Sequence, residues 1–393
     1  MSNFKAVIIS SVTTFILVAI SYTYFYAQEK AIIDTSFTQP SQSNYINAQQ
    51  ISQEEREKLN QELSDQRRNL ITHAVQKVSP AVVSINVKEI RKYNLDPWWQ
   101  FFYGRNTFNQ EIQSVGSGSI ISPDGYILTN DHVAGAAEDI LITLTDGRQF
   151  KAKKVGTDPT TDICLLKIEG NNLPYVEFGN SNDIMIGEWS IAIGNPFGLF
   201  SMTDKPTVTV GVISALGMNL SPLEGRYYMN MIQTDASINQ GNSGGPLINC
   251  IGQMIGMNTI IYTAQGSSGN VGVGFAIPVN KIQKIVDNLK KNGYYDRNYW
   301  TGLRIQDIDQ DIAKYFDLSR ARGVLVREVE NGSPGADAGI KEYDIITHID
   351  GLRVDNTQVL QGLLKEYRAN ESVNFSILRD GKILNIKMKL EKQ

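Results

Sequence analysis

Between about residues 80 and 278 the sequence is built from short β-branched runs, each closed by a turn. SGSIIS runs into PDG, DILITL into TDG and SIAI into GNPFG, with YILTN, RQFKAKKV and TVTVGVIS between them. Period-two apolar runs that end in Asp-Gly or Asn-Pro are hairpin signals. No long helical period separates them, so an alternating βα architecture is excluded and all-β barrels or sandwiches are expected. Roughly 200 residues of this texture suit two small packed barrels. A helical pattern closes the region. PVNKIQKIVDNLKKNG places Ile282, Ile285, Val286 and Leu289 on one face and Gly293 just past the end.

The flanks read differently. Residues 6 to 27 carry no charge over 22 positions, enough for one membrane crossing. Lys5 precedes them and favours the N-terminus inside. Phe25, two before Ala27, spoils a small-x-small cleavage site. An uncleaved signal-anchor over 1–28 is therefore expected, with a cleaved peptide as the alternative. Residues 29–70 combine a Gln/Ser/Asn-rich linker with the start of a charged helical pattern over 51–77. The β-rich region with its closing helix is assigned to 71–293. Residues 298–393 form a second unit of strands and one helical stretch, TQVLQGLLKEYR, large enough for a small α+β module.

Charge and composition narrow the chemistry. A net charge of −4 supplies no basic field for nucleic acid. Two cysteines, Cys164 and Cys250, support neither a disulfide scaffold nor a multi-cysteine metal site, and read as unrelated thiols. The three histidines, His73, His132 and His348, are far apart and no HExxH occurs, so no metal is expected.

NQGNSGGPL, residues 239 to 247, sets a lone serine among glycines. As G-x-S-x-G it fits a nucleophile elbow, whose base follows the serine. It equally fits the serine of a double-barrel protease, whose base precedes it. Only His348 follows Ser243, and it alternates with Ile346 and Ile349 as an ordinary strand residue would. His132 precedes it in YILTNDHVAGA, at a turn after a strand, and Asp162 heads a strand in DPTTDICLLKI. The order His132, Asp162, Ser243 is that of the double barrel. Neutral imidazole could take the Ser243 proton, Asp162 would fix its tautomer, and N–H groups of the Gly241, Asn242, Ser243 turn would bind an oxyanion.

Together VSPAVVSI, GSGSIISPDGYILTNDHV, DPTTDICLLKI, SIAIGNPFG, IQTDASINQGNSGGPLIN and GVGFAIPVN resemble the HtrA (Deg) family of trypsin-like serine proteases with PDZ domains. The resemblance runs from about residue 70 to the C-terminus. It implies extracytoplasmic, ATP-independent cleavage of misfolded or regulatory proteins by a homotrimer. It implies no cofactor, and it places the triad on His132, Asp162 and Ser243. The expected fold is a chymotrypsin-like double β-barrel followed by a PDZ module, tethered to the bacterial inner membrane through residues 6–27. Asp131 and Ala134 depart from the family string beside the histidine.

Specificity follows from the residues before the serine. Position 237, where a pocket for Arg or Lys would carry a carboxylate, holds Ser237, followed by Ile238. Asp235 lies two positions too early. An apolar pocket and cleavage after Val, Ala or Ile are expected. The Gly/Ser-rich stretch 257–274 suggests a mobile pocket wall. Residues 91–114, with five aromatics between Trp98 and Tyr103, suggest an assembly or gating loop. The C-terminal module resembles a PDZ domain of the permuted bacterial type. Its carboxylate loop falls on Trp300, Thr301, Gly302 and Leu303, and would take hydrophobic C-terminal peptides by strand addition. Thr301 and Tyr343 depart from the usual pattern. A chaperone with secondary proteolysis is the alternative function. A non-catalytic PDZ scaffold is disfavoured by the complete triad.

Overall fold

A computed structural model describes residues 19–23, 56–58, 61, 67–94, 107–195, 205–239, 241–261 and 271–392. Most of the 6–27 segment, the aromatic stretch around Trp98–Tyr103 and the centre of the 257–274 stretch lie outside the described residues. Of the apolar N-terminal segment, residues 19–23 are described, and they are helical. Among the described residues no helix is long and apolar enough to cross a membrane.

Seven strands make the first sheet: β1 (Val82–Asn94), β2 (Thr107–Ile120), β3 (Tyr126–Thr129), β4 (Asp139–Leu144), β5 (Gln149–Lys151), β6 (Lys153–Asp158) and β7 (Ile163–Lys167). Their spatial order is β5-β4-β1-β2-β3-β7-β6. Only Ala152 separates β5 from β6, so the two ends of the sheet are one bent run and the sheet closes on itself.

The second sheet holds β8 (Glu177–Phe178), β9 (Trp189–Gly194), β10 (Thr207–Met218), β11 (Met231–Thr234), β12 (Pro246–Ile248), β13 (Gln253–Ile261) and β14 (Gly274–Pro278). Their order is β12-β9-β10-β11-β14-β13-β8, and a further β12–β13 pairing closes this barrel too.

Several strands are apolar on both faces because each face meets a different core. On β7, Cys164 and Leu166 point into the first barrel, while Ile163 and Leu165 point into the seam between barrels. On β9, Ala192 faces the second barrel, while Ile191 and Ile193 face the seam. Such strands read as unbroken apolar runs rather than alternating ones. The seam is capped by two helices, Leu70–Val78 and Val279–Asn292. The second buries Ile282, Ile285, Val286 and Leu289, each worth about 1.5–3 kcal/mol of apolar burial. It stops at Gly293, which takes φ +76.

The C-terminal module carries β15 (Leu303–Asp307), β16 (Val324–Val329), β17 (Ile345–Ile349), β18 (Leu352–Arg353), β19 (Ser372–Arg379) and β20 (Lys382–Lys389). Five run in the order β15-β16-β17-β19-β20, which leaves β15 at an edge, and β18 pairs with β17. Helix Thr357–Leu364 packs Leu360 and Leu363 into this core. His348 sits half-buried on β17, as an ordinary strand residue.

The module docks on the barrels through polar and apolar contacts. Arg297 grips Asp158 bidentately at 2.5 and 2.6 Å. Lys284 reaches Glu371 at 3.0 Å, and Lys281 pairs with Glu366. Met229, from the loop between β10 and β11, is buried in the module's own core. It can enter because residue 362 is glycine: a Cβ there would lie 2.7 Å from the Met229 sulfur.

Asp158 is 2% exposed and Arg297 11%. Arg297→Ala would strand a buried carboxylate. It is expected to destabilise the chain by about 3–5 kcal/mol, seen as a lower urea midpoint. The Asp158→Asn/Arg297→Met pair should recover most of that loss.

Candidate active site

The short helix Asp131–Ala134 carries His132 at the end of β3, and Asp162 stands just before β7. Strands β3 and β7 are paired neighbours, with Thr129 opposite Cys164, so the two side chains meet. His132 Nδ1 lies 2.7 Å from Asp162 Oδ2, and the His132 backbone N–H donates to Oδ1 at 2.9 Å. An ionised carboxylate only accepts, so Nδ1 carries the proton and Nε2 is left as an acceptor. The His132 side chain is 33% exposed and that of Asp162 is fully buried.

Asp162 takes φ +62, a left-handed conformation that Asp tolerates better than most residues. Its buried charge collects further donors. Asn130 Nδ2 reaches its carbonyl at 3.0 Å and Oδ2 at 3.2 Å. Tyr228 donates its hydroxyl to Oδ2 at 3.2 Å. Burial, and then the Asp162 charge, push the Tyr228 phenol far above its ordinary range, so it remains a donor.

Thr259 on β13 ties Ser243 to this pair. Its hydroxyl accepts from Asn130 Nδ2 at 3.2 Å, and its carbonyl accepts from Ser243 Oγ at 2.9 Å. The serine hydroxyl therefore rests on the Thr259 carbonyl, and among the described residues no hydrogen bond joins it to His132. The turn around Ser243 is pinned to the first barrel. Ser117 N–H donates to the Ser243 carbonyl at 3.0 Å, and Ser117 Oγ donates to the Gly241 carbonyl at 2.5 Å.

Of the three expected oxyanion donors, Asn242 is already engaged, because its N–H donates to the Asn239 carbonyl at 3.0 Å. Among the described residues, neither the Gly241 nor the Ser243 N–H donates to another group.

The residues expected to shape specificity lie in two environments. Ser237 is exposed, and its carbonyl accepts from Thr209 Oγ1 at 2.7 Å. Ile238 is buried in the second barrel and packs against Gly274. Asp235 is turned aside, with Oδ1 accepting from Val212 N–H at 2.6 Å. Cys164 is no rival nucleophile. Burial, and then the nearby Asp131 charge, push its thiol up to about 12.

At the C-terminal module, Trp300, Thr301, Gly302 and Leu303 line a cavity of about 340 Å³ beside the open edge of β15, with Arg304, Glu328 and Glu330. The Thr301 hydroxyl accepts a long 3.4 Å bond from Leu303 N–H, one of the donors that a peptide carboxylate would use. Tyr343 takes φ +69, which explains why glycine is the more usual residue there.

Asn130, Thr259, Tyr228 and Arg226 are functional neighbours that the sequence alone does not expose. Asn130 and Asp131 flank the histidine motif and carry a local signal. Thr259 and Tyr228 arrive only through folding.

Gly244 has φ +86, and a Cβ there would lie 2.2 Å from the Ser117 carbonyl oxygen and 2.3 Å from Thr129 Oγ1. Gly244→Ala must therefore displace the serine turn. We expect kcat/KM to fall more than about 100-fold in a peptide-cleavage assay, the scale of losing one oxyanion donor.

The chain matches the family models for a trypsin-like peptidase domain over residues 116–257 and a PDZ domain over residues 301–390. It is 40% identical over 342 residues to a probable periplasmic serine endoprotease, DegP-like, of Marinomonas sp. (strain MWYL1), across 81% of this chain and 71% of that one. A protein of the same description from Chlamydia pneumoniae is 41% identical over 298 residues, across 75% and 59% of the two chains. Among solved structures, the HtrA-type protease AlgW with tripeptide superposes with a TM-score of 0.62 at 33% identity, covering 82% of this chain and 97% of that one. The serine endoprotease from Yersinia pestis superposes at 0.52 with 31% identity, covering 83% and 98%. With two closed barrels, a PDZ module and relatives at this identity, the chain belongs to the HtrA-type, DegP-like periplasmic serine endoproteases.

Proposed function

We propose that His132, Asp162 and Ser243 are the catalytic triad of this endoprotease. The observation that carries this is the 2.7 Å His132–Asp162 contact beside a serine whose turn presents two free N–H groups. Rotation of the Ser243 hydroxyl from Thr259 toward His132 starts the reaction. Oγ attacks the scissile carbonyl carbon and its proton passes to Nε2. The carbonyl electron pair moves to oxygen, where the Gly241 and Ser243 N–H groups stabilise it by about 3–4 kcal/mol per donor. Asp162 stabilises the imidazolium, which returns the proton to the leaving amine. Water then cleaves the acyl-enzyme by the same steps.

The residue on the acyl side of the cut is small or medium aliphatic. This is supported by Ser237 in place of a carboxylate and by the diversion of Asp235 to β10. Substrates are misfolded or regulatory proteins, and hydrophobic C-terminal peptides bind at the edge of β15 to regulate cleavage. Extended residues 226–229 favour that regulation. Arg226 and Tyr228 face Asp162, while Met229 is seated in the PDZ core, with Tyr227 packed against the same core. Residues 6–27 tether the chain to the inner membrane, the catalytic part lies in the periplasm, and the working form is a homotrimer.

Casein digestion tests the triad. The wild-type chain should degrade it and Ser243→Ala should not, with equal cleavage by both sinking the assignment. In a peptide-library digest, Val, Ala and Ile should dominate the position before the cut. A majority of Arg or Lys there would refute the apolar pocket.

A further inference from the structure

The guanidinium of Arg226 lies beside Asp162 and Asp131, next to the proposed triad. Its Nη2 donates to Asp131 Oδ2 at 3.1 Å, its Nη1 reaches Glu224 Oε2 at 3.3 Å, and its Nε lies 3.4 Å from Asp162 Oδ1. That Nε is buried and has no hydrogen-bond partner among the described residues, so it meets the Asp162 carboxylate as an ion pair without an aligned hydrogen bond. The side chain is 18% exposed. Its pKa is raised, because the attraction of Asp162 and Asp131 outweighs the desolvation that opposes it.

The backbone around Arg226 is fixed on both sides. Leu223 and Arg226 exchange N–H···O=C bonds at 2.9 and 3.1 Å, closing a tight turn. Tyr227 N–H donates to the Thr160 carbonyl at 2.8 Å, two residues before Asp162. The arginine is thus presented to the site by a held strip rather than by a free loop.

We propose that Arg226 is a positioning residue of the active site, holding Asp131 and Asp162 on one guanidinium so that the carboxylate orienting His132 is fixed and the negative charge behind the imidazole is limited. The inference rests on the triad reading above. Two carboxylates lie close to His132: Asp162 bonds its Nδ1, and Asp131 is its neighbour in the chain. Both negative charges favour the imidazolium over the neutral imidazole that serves as base, and a nearby cation opposes them. Arg226 offsets one of them.

The charged and titratable groups around this cluster, among the described residues, come from each packed element. The short helix gives Asp131 and His132, the approach to β7 gives Asp162, and β7 itself gives Cys164. The 224–228 strip gives Glu224, Arg226 and Tyr228. Strand β6 gives Lys154, whose Nζ donates to the Gly135 carbonyl at 2.5 Å, and Thr157, whose hydroxyl donates to Asp131 Oδ1. Arg226 is the group in this set that touches both carboxylates.

The test is the pH profile of kcat/KM for the full chain on a peptide substrate. Removing a cation beside an imidazole raises the imidazole pKa. Arg226→Gln should therefore move the acid limb up by about one pH unit, with a roughly tenfold loss at pH 6 that shrinks toward pH 9. Asp131→Asn should move the limb down. The Asp131→Asn/Arg226→Gln pair, which restores the net charge, should bring it back to within 0.3 unit of wild type. Arg226→Lys keeps the charge and loses the fork, so its limb should stay in place while kcat falls at every pH. A purely structural role would lower kcat uniformly in Arg226→Gln and leave the limb unmoved, and that result overturns the proposal. If Arg226→Gln fails to fold, Arg226→Lys decides: wild-type kcat at every pH overturns it. Ser243→Ala keeps the two readings apart. Cleavage that survives Ser243→Ala removes the triad itself, whereas an inactive Ser243→Ala beside a wild-type Arg226→Gln profile removes only Arg226.

Discussion

A fully buried carboxylate, Asp162, sets the terms for the centre of this molecule. An isolated ionised carboxylate in a low-dielectric interior costs far more than a domain's net stability, so it must be paired and hydrogen-bonded. Its partners come from two separate places. His132 and Asn130 lie at the end of β3, and Tyr228 and Arg226 lie on the loop between β10 and β11. Through Asn130, Thr259 of β13 joins the same network and holds Ser243. Satisfying one charge thus links both barrels at the place where the proposed triad is assembled.

The barrels can supply those partners because their strands are apolar on both faces. Ile163 and Leu165 bind β7 to the seam while Cys164 and Leu166 bind it to its own barrel. The approach to β7 is therefore fixed from two sides, and Asp162 is held at φ +62 with no room to relax. Loop residues positioned by a rigid scaffold are the general means of building an active site. Here the scaffold is the seam itself, closed by helices Leu70–Val78 and Val279–Asn292.

Much of this was legible in the chain. The turn dipeptides and short runs gave the β-rich architecture, and Ile282, Ile285, Val286, Leu289 and Gly293 gave the closing helix and its stop. Histidine scarcity left His132 as the candidate base, and its contact with Asp162 is the part of that expectation that the fold brings together. What could not be read were partners that depend on distance in three dimensions. Thr259 is 129 residues from Asn130, and Arg226 is 95 from Asp131. The occupied N–H of Asn242 was hidden for another reason, since it depends on the path of the turn rather than on residue identity. Ile238 was expected at the specificity pocket from its place before the serine, but the direction of its side chain depends on the path of the chain, and it packs in the barrel core.

The strip from Arg226 to Met229 joins two of these themes. An extended segment presents alternate residues to opposite sides. Arg226 and Tyr228 reach Asp162, while Tyr227 packs against the C-terminal core and Met229 is buried within it, beside Gly362 of the helix Thr357–Leu364. A displacement of that helix by a ligand at the neighbouring edge of β15 would press on Met229. The Tyr227–Thr160 bond ties the strip to the segment two residues before Asp162, so a push on one would be felt by the other. Only a small shift is needed, because Arg226 Nε already lies 3.4 Å from Asp162 without an aligned hydrogen bond. Closing that gap would strengthen the hold on the carboxylate, and opening it would loosen the residue that orients His132.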